Sequence, residues 1–74
     1  MNYDIDGKKL KEILVFERGL ALKPVSRRCG VHADYLHKAV KNNRLSNEVV
    51  KTLHDKYEIN PARYVPGWKG DQSE

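Results

Sequence analysis

Three side chains near the middle of the sequence have the types and spacing that could bind a metal ion. Two residues separate Cys29 from His32, and four separate His32 from His37. Zinc prefers thiolate and imidazole ligands, but a structural zinc site needs four of them. His54 falls on another predicted helix, and Cys29 takes a position suited to a small buried side chain. We therefore expect no metal ion at this cluster.

Patterns typical of catalysis are also missing from the sequence. We find no nucleophile paired with a base, no glycine-rich phosphate loop and no carboxylate pair typical of a cleft. A chain of 74 residues could also hardly enclose a substrate. The sequence thus predicts a protein that is not an enzyme and that uses no cofactor and no small-molecule substrate.

Length and composition predict one small domain inside a cell. A core of this size needs strong local helix signals or a partner, so a homodimer is one arrangement to expect. The single cysteine allows no internal disulfide and indicates a reducing compartment. We find no signal peptide and no apolar run long enough to cross a membrane. These features predict a cytoplasmic protein without a membrane partner.

The charge balance is basic. The 14 Lys and Arg residues exceed the 10 Asp and Glu residues, which gives a formal net charge of +4. Such a balance favours binding to a polyanion. A charged surface that only keeps the domain soluble explains the balance as well. The positions of the charges must decide between these interpretations.

The spacing of apolar residues predicts helices rather than strands. A first helix over residues 8–18 has Leu10, Ile13 and Leu14 on one face, Asp6 as its N-cap and Gly19 at its end. Pro24 suits only the first turn of a second helix, which Gly30 ends. A third helix over about residues 32–42 follows. Its apolar and closing residues are Tyr35, Leu36, Ala39, Val40, Asn42 and Asn43.

The last third of the chain predicts two more helices. Ser46 is a good N-cap for a fourth helix, whose inner residues are Val49, Val50, Leu53 and Tyr57. Asn60 and Pro61 begin a short fifth helix that places Tyr64 and Val65 on the core. We therefore predict an all-α, five-helix domain over residues 1–65 and a flexible C-terminal tail over residues 66–74.

The second and third helices have the spacing of a helix-turn-helix over residues 24–42. Gly30 supplies the tight turn, and Val31 fills it. Val25 and Cys29 pack inward from the second helix, and Leu36 anchors the third. Each position has the residue type that the motif requires.

These residues resemble the helix-turn-helix family of phage repressors and Cro-like regulators, also called the XRE family. The matching residues are Glu17-Arg18-Gly19-Leu20, Ser26, Gly30-Val31 and Tyr35-Leu36. The resemblance covers about residues 8–65. It implies a compact five-helix, lambda-repressor-like domain that binds DNA, often as a dimer, with the third helix in the major groove.

The resemblance also implies which side chains would contact DNA. The base-facing positions carry His32, Ala33, Asp34, His37 and Lys38. The basic residues suited to the flanking phosphates are Lys23, Arg27, Arg28, Lys41 and Arg44. Asp34 departs from the usual Gln, Arg, Ser or Asn. It could accept a hydrogen bond from cytosine, or it could serve the helix dipole, which is worth about 0.5 kcal/mol.

Two functions follow from the third helix. The first is a phage or mobile-element regulator in the bacterial cytoplasm that binds double-stranded operator DNA, as a dimer, and occludes a promoter. The second is an antirepressor that binds a partner repressor protein and covers its basic DNA-reading surface, which Asp34 would complement. Val15, Phe16 and Trp68 could form a protein interface or could flank the core.

Overall fold

The computed structural model describes residues 2–68. The elements follow in the order β1 (Asn2–Asp4), α1 (Gly7–Lys11), α2 (Leu22–Arg28), α3 (Tyr35–Asn42), β2 (Arg44–Ser46) and α4 (Asn47–Tyr57). A π-helical segment (Glu12–Glu17) continues α1 directly, and a single 3-10 turn (Pro61–Arg63) follows α4.

The predicted five-helix, all-α fold is wrong. Within residues 2–68 the protein has four helices and a two-stranded antiparallel sheet, so the fold is mixed α/β. The expected fifth helix is only the 3-10 turn, because the backbone already leaves helical geometry at Tyr64, which has a φ of −134°. The strands escaped prediction because three residues are too few to show an alternation of apolar and polar side chains.

The sheet joins the N-terminal segment to the segment after α3. Tyr3 pairs with Leu45 and Asp4 with Arg44. The Ile5 N–H then donates to the Asn43 carbonyl over 2.9 Å, which extends the contact beyond the strand. Leu45 is fully buried. Residues 2–5 are therefore part of the structure that holds the C-terminal end of α3.

Helix α1 begins against α3 at a glycine. The Asp6 side chain accepts from the Lys9 N–H, as predicted for an N-cap. The Gly7 N–H donates to Asn43 Oδ1 over 3.0 Å. A Cβ on Gly7 would lie 2.0 Å from the Val40 carbonyl oxygen. Only glycine permits this approach of the two backbones.

The first helix ends as predicted, but its second half, Glu12–Glu17, is a π-helix rather than an α-helix. Leu10, Ile13 and Leu14 are fully buried, which confirms the predicted stripe. The Arg18 N–H donates to the Ile13 carbonyl, five residues back, over 3.1 Å. Gly19 then ends the helix with a φ of +65°.

The second and third helices begin at other residues than predicted. Helix α2 begins at Leu22, so Pro24 lies in its first turn at the third position. Helix α3 begins at Tyr35, three residues after His32. The Asp34 N–H donates to His32 Nδ1 over 3.1 Å, and this local bond favours a turn over a helix at these residues. Gly30 lies in the turn between the two helices, with a φ of +77°.

The core lies between all four helices and the sheet. Ser46 caps α4 through its bond to the Val49 N–H, and Tyr64 and Val65 are buried, as predicted. Four buried side chains were not anticipated from their spacing, namely Ile5, Leu22, Leu45 and Ile59. All of them lie at or outside the ends of the helices, where a helical period gives no signal.

The segment predicted as a C-terminal tail lies largely outside the described residues, which end at Trp68. The Trp68 N–H donates to the Val65 carbonyl over 3.1 Å. Its ring meets the Tyr3 ring edge to face, with centroids 5.3 Å apart and planes inclined by 69°. Trp68 thus contacts β1 of its own chain. Between residues 2 and 68, no helix combines the length and apolar character that a membrane span requires.

Candidate nucleic-acid interface

Helix α3 is joined to α2 by one buried hydroxyl. Ser26 Oγ donates to the Leu22 carbonyl over 2.9 Å and accepts from the Leu36 N–H over 3.1 Å. Ser26 is fully buried. The Leu36 N–H belongs to the first turn of α3, where backbone donors have no partner within the helix. Ser26 therefore caps α3 from a neighbouring helix, whereas the Asp34 side chain makes no capping bond.

A second contact ties α3 to the start of α4. The Ser46 N–H donates to the Tyr35 hydroxyl over 2.9 Å. Tyr35 is half-buried against the core, so its ring packs while its oxygen reaches the backbone. Sequence spacing assigned Tyr35 to the core but could not reveal this bond. The two contacts position α3 at its N-terminal end.

The outer face of α3 is basic. Leu36 and Ala39 are buried, while His37, Lys38 and Lys41 are exposed. The sequence from Tyr35 to Asn42 contains no Asp or Glu. Two of the five predicted base-facing residues, His37 and Lys38, therefore lie on a helix that carries cationic groups and no carboxylate.

The other three predicted base-facing residues lie in the turn before α3. His32 is exposed, while Ala33 and Asp34 are partly exposed. Asp34 Oδ1 lies 4.0 Å from Lys23 Nζ, and Asp34 Oδ2 lies 4.0 Å from His32 Nδ1. His32 Nδ1 also accepts the Asp34 N–H, and Lys23 is the lysine that lies near the Asp34 carboxylate. Contacts this long and exposed add little stability.

The predicted phosphate contacts lie on three elements. Lys23 and Arg27, four residues apart on α2, share its outer face, and Arg28 is also exposed. Lys41 is exposed at the end of α3. Arg44 lies in β2, where its Nε is 3.7 Å from Asp4 Oδ1 across the strand pair.

Two other arginines have structural partners instead. Arg18 donates to the Tyr57 carbonyl over 2.7 Å, at the C-terminal end of α4. Arg63 donates to Glu17 Oε2 over 2.6 Å, and this bond holds the pKa of the Glu17 carboxyl below its ordinary value. These pairs fasten the end of the first helix to α4 and the 3-10 turn. Arg18 and Arg63 therefore have structural roles.

Cys29 shows no sign of an activated thiol. The residue is half-buried, and burial raises the pKa of its thiol above the ordinary value, although the charge of Lys56 opposes this shift. Among residues 2–68, no three His, Cys, Asp or Glu side chains are grouped so that they could hold a metal ion. Cys29, His32 and His37 are therefore not brought together as one group of ligands.

The chain has no match among protein-family models, curated proteins or solved structures. Its functional interpretation therefore depends on its own residues.

The three residues predicted as a protein interface have different environments. Val15 is half-buried and packs against the core, and Trp68 packs on Tyr3. Phe16 is 75% exposed and is the one large apolar side chain among residues 2–68 that lies in solvent.

An open groove of about 630 Å³ lies beside α3. Its lining is mainly apolar and includes Val15, Leu20 and Leu22. Lys11, Lys23 and His37 complete its lining. Two residues of the predicted DNA surface, Lys23 on α2 and His37 on α3, thus line the same groove. No sequence pattern indicated this groove, because its walls come from separate helices.

Proposed function

We propose that the protein is a small helix-turn-helix transcription regulator of the phage or mobile-element type, which binds operator DNA through α3 and controls a promoter. The observation that carries the proposal is the outer face of α3. His37, Lys38 and Lys41 are exposed on a helix without a carboxylate, and Ser26 fixes the start of that helix. A rigid helix with a cationic face suits the major groove.

The surroundings of α3 support the same partner. Arg27, Arg28 and Lys41 are exposed and, within residues 2–68, have no carboxylate within 4.0 Å. Such side chains are available to phosphate oxygens. Contacts to phosphates supply essentially all of the affinity in non-specific DNA binding and make that affinity depend on salt. Lys23 additionally offsets the charge of Asp34, so the acidic residue is less repulsive to DNA than its sequence position suggests.

Base recognition would come from few side chains. Lys38 can donate to the acceptors of guanine, and a neutral His37 can donate or accept one hydrogen bond. Ala33 could contact a thymine methyl group, and Asp34 could accept from a cytosine amino group. Because Ala33 and Asp34 precede α3, their contacts would be made at its N-terminal end, which is the end that enters the groove in helix-turn-helix proteins.

The test measures binding of the protein to the DNA around its own coding region at several salt concentrations. Lys38→Gln and Arg27→Gln should each reduce affinity, and each lost phosphate contact should reduce the log–log salt slope by about 0.9. Lys51→Gln is the matched control, because Lys51 is an exposed lysine on α4. No binding, or an equal loss in all three variants, would refute the proposal.

A second function is favoured by one specific observation. The Asp34 side chain remains half exposed in front of α3, caps no helix and lies 4.0 Å from both Lys23 Nζ and His32 Nδ1. An antirepressor that covers the basic DNA-reading surface of a partner repressor would use such a carboxylate. Asp34→Arg should then weaken a complex with that repressor by about 2 kcal/mol or more if the contact is buried, while DNA binding is unharmed. Unchanged affinity for the repressor would count against this function.

A further inference from the structure

Phe16 is an apolar side chain that its own fold leaves without cover. It is 75% exposed, although α1 and the π-helical segment that continues it bury their other large apolar residues wholly or in part. Glu12 lies four residues before Phe16, so the two side chains are neighbours on the same outer side of the helix. Glu12 is 56% exposed and has only a 3.6 Å contact with Lys9. Phe16 and Glu12 together, called the knob, thus present an apolar ring next to a carboxylate.

The groove beside α3 has complementary properties. Its lining is mainly apolar, and its basic residues are Lys11, Lys23 and His37. A phenyl ring against this lining would bring an adjacent carboxylate close to basic side chains. Within residues 2–68 the groove has no acidic lining residue that could repel it. The groove is therefore complementary to Phe16 and Glu12 in polarity and charge.

The knob and one wall of the groove come from consecutive residues of the same helix. Phe16 follows Val15, and Glu12 follows Lys11. A single two-fold rotation can therefore bring each knob against the groove of the other copy, with Glu12 of each copy facing Lys11 of the other. Such an isologous contact closes at two subunits, and it repeats every favourable contact twice.

We infer that the protein forms a two-fold dimer in which Phe16 of each copy occupies the groove of the other. This inference goes beyond the proposed function and does not depend on it. The partner is a second copy of this chain, and Glu12 and Lys11 provide the electrostatic part of the contact.

The test measures the molar mass of the full chain by sedimentation over a wide concentration range, without DNA. Wild type should dimerise. Phe16→Ala should raise the dissociation constant by about tenfold or more, since 1.4 kcal/mol corresponds to a factor of ten. Ala21→Asp should also dissociate the dimer, because a carboxylate in the groove would repel Glu12. Asp is a favourable N-cap for α2 at this position, so loss of folding would not explain that result.

A charge exchange tests the orientation of the two copies. Glu12→Lys and Lys11→Glu should each weaken the dimer, and the double variant E12K/K11E should restore it. Circular dichroism would report whether each variant is folded. A wild-type chain that stays monomeric at every concentration would overturn the inference. It would also be overturned if Phe16→Ala leaves the dimer intact, if the double variant fails to restore it, or if Phe16 is needed only for binding a different protein.

Discussion

The Leu36 N–H donates to the buried hydroxyl of Ser26 over 3.1 Å, so a side chain of α2 completes the first turn of α3. The same hydroxyl has already given its own proton to the Leu22 carbonyl. One oxygen thus sets the distance between the two helices at the point where α3 begins. The orientation of the proposed DNA-binding face depends on this contact.

Ser26→Ala should lower the free energy of unfolding by about 1–3 kcal/mol, because it leaves the buried Leu36 N–H without an acceptor. Thr52→Ala is the matched control. Thr52 also donates to the carbonyl four residues back, but it is not fully buried and accepts no bond from another helix. Its replacement should change stability by no more than about 0.5 kcal/mol. Urea denaturation measures both values, and equal losses would contradict the role given to Ser26.

Gly7→Ala should destabilise the protein more than Gly19→Ala. A Cβ at Gly7 would lie 2.0 Å from the Val40 carbonyl oxygen, so α1 and α3 would have to separate. Gly19 faces open space, and its replacement costs only the strain of a positive φ, about 1–2 kcal/mol. Thermal denaturation of the two variants gives the comparison. A smaller loss for Gly7→Ala would mean that the helices adjust easily.

Stability should decrease in acid in part through Glu17. In the folded state, its bond to Arg63 lowers the pKa of the Glu17 carboxyl below the ordinary value for glutamate. The stabilisation is therefore present above the unfolded-state pKa and is lost as the pH falls through the folded-state pKa. Glu17→Gln should flatten the dependence of unfolding free energy on pH in this acidic range. Arg63→Gln removes the same hydrogen bond from the other side and should flatten the dependence in the same pH range.

Dimerisation through the groove should compete with DNA binding, because Lys23 and His37 belong to both surfaces. Where wild type is largely dimeric, Phe16→Ala should raise the apparent DNA affinity by about the inverse of the wild-type monomer fraction. At concentrations where wild type is monomeric, the two proteins should bind equally. Fluorescence anisotropy with labelled operator DNA measures both regimes. Weaker DNA binding by Phe16→Ala would instead identify the dimer as the DNA-binding form.

Local signals made much of the fold predictable. Asp6 and Ser46 cap helices as expected, and Asn60 caps the 3-10 turn, because a cap acts within three residues of itself. Gly19 ends the first helix with the predicted left-handed backbone, which is also a local property. The strand pair was not predictable, since Tyr3 and Leu45 are far apart in sequence and each strand is too short for a pattern.

The candidate site was predictable only in part. The exposed positions of His37 and Lys38 follow from the helical period around Leu36 and Ala39. The start of α3 was misplaced by three residues, because the bond between the Asp34 N–H and His32 competes with helix formation and leaves no mark on periodicity. The bonds of Ser26 and Tyr35 link different elements, and only the tertiary structure could disclose them.

The contacts of Gly7 and Ile5 with Asn43 affect the order in which the parts of the protein can fold during synthesis. The acceptor that fixes the start of α1 is synthesised 36 residues after Gly7. On the ribosome, α1 therefore cannot take its final place until the chain has extended past β2. A nascent chain would hold its first helix loosely and complete the fold only when its second half emerges.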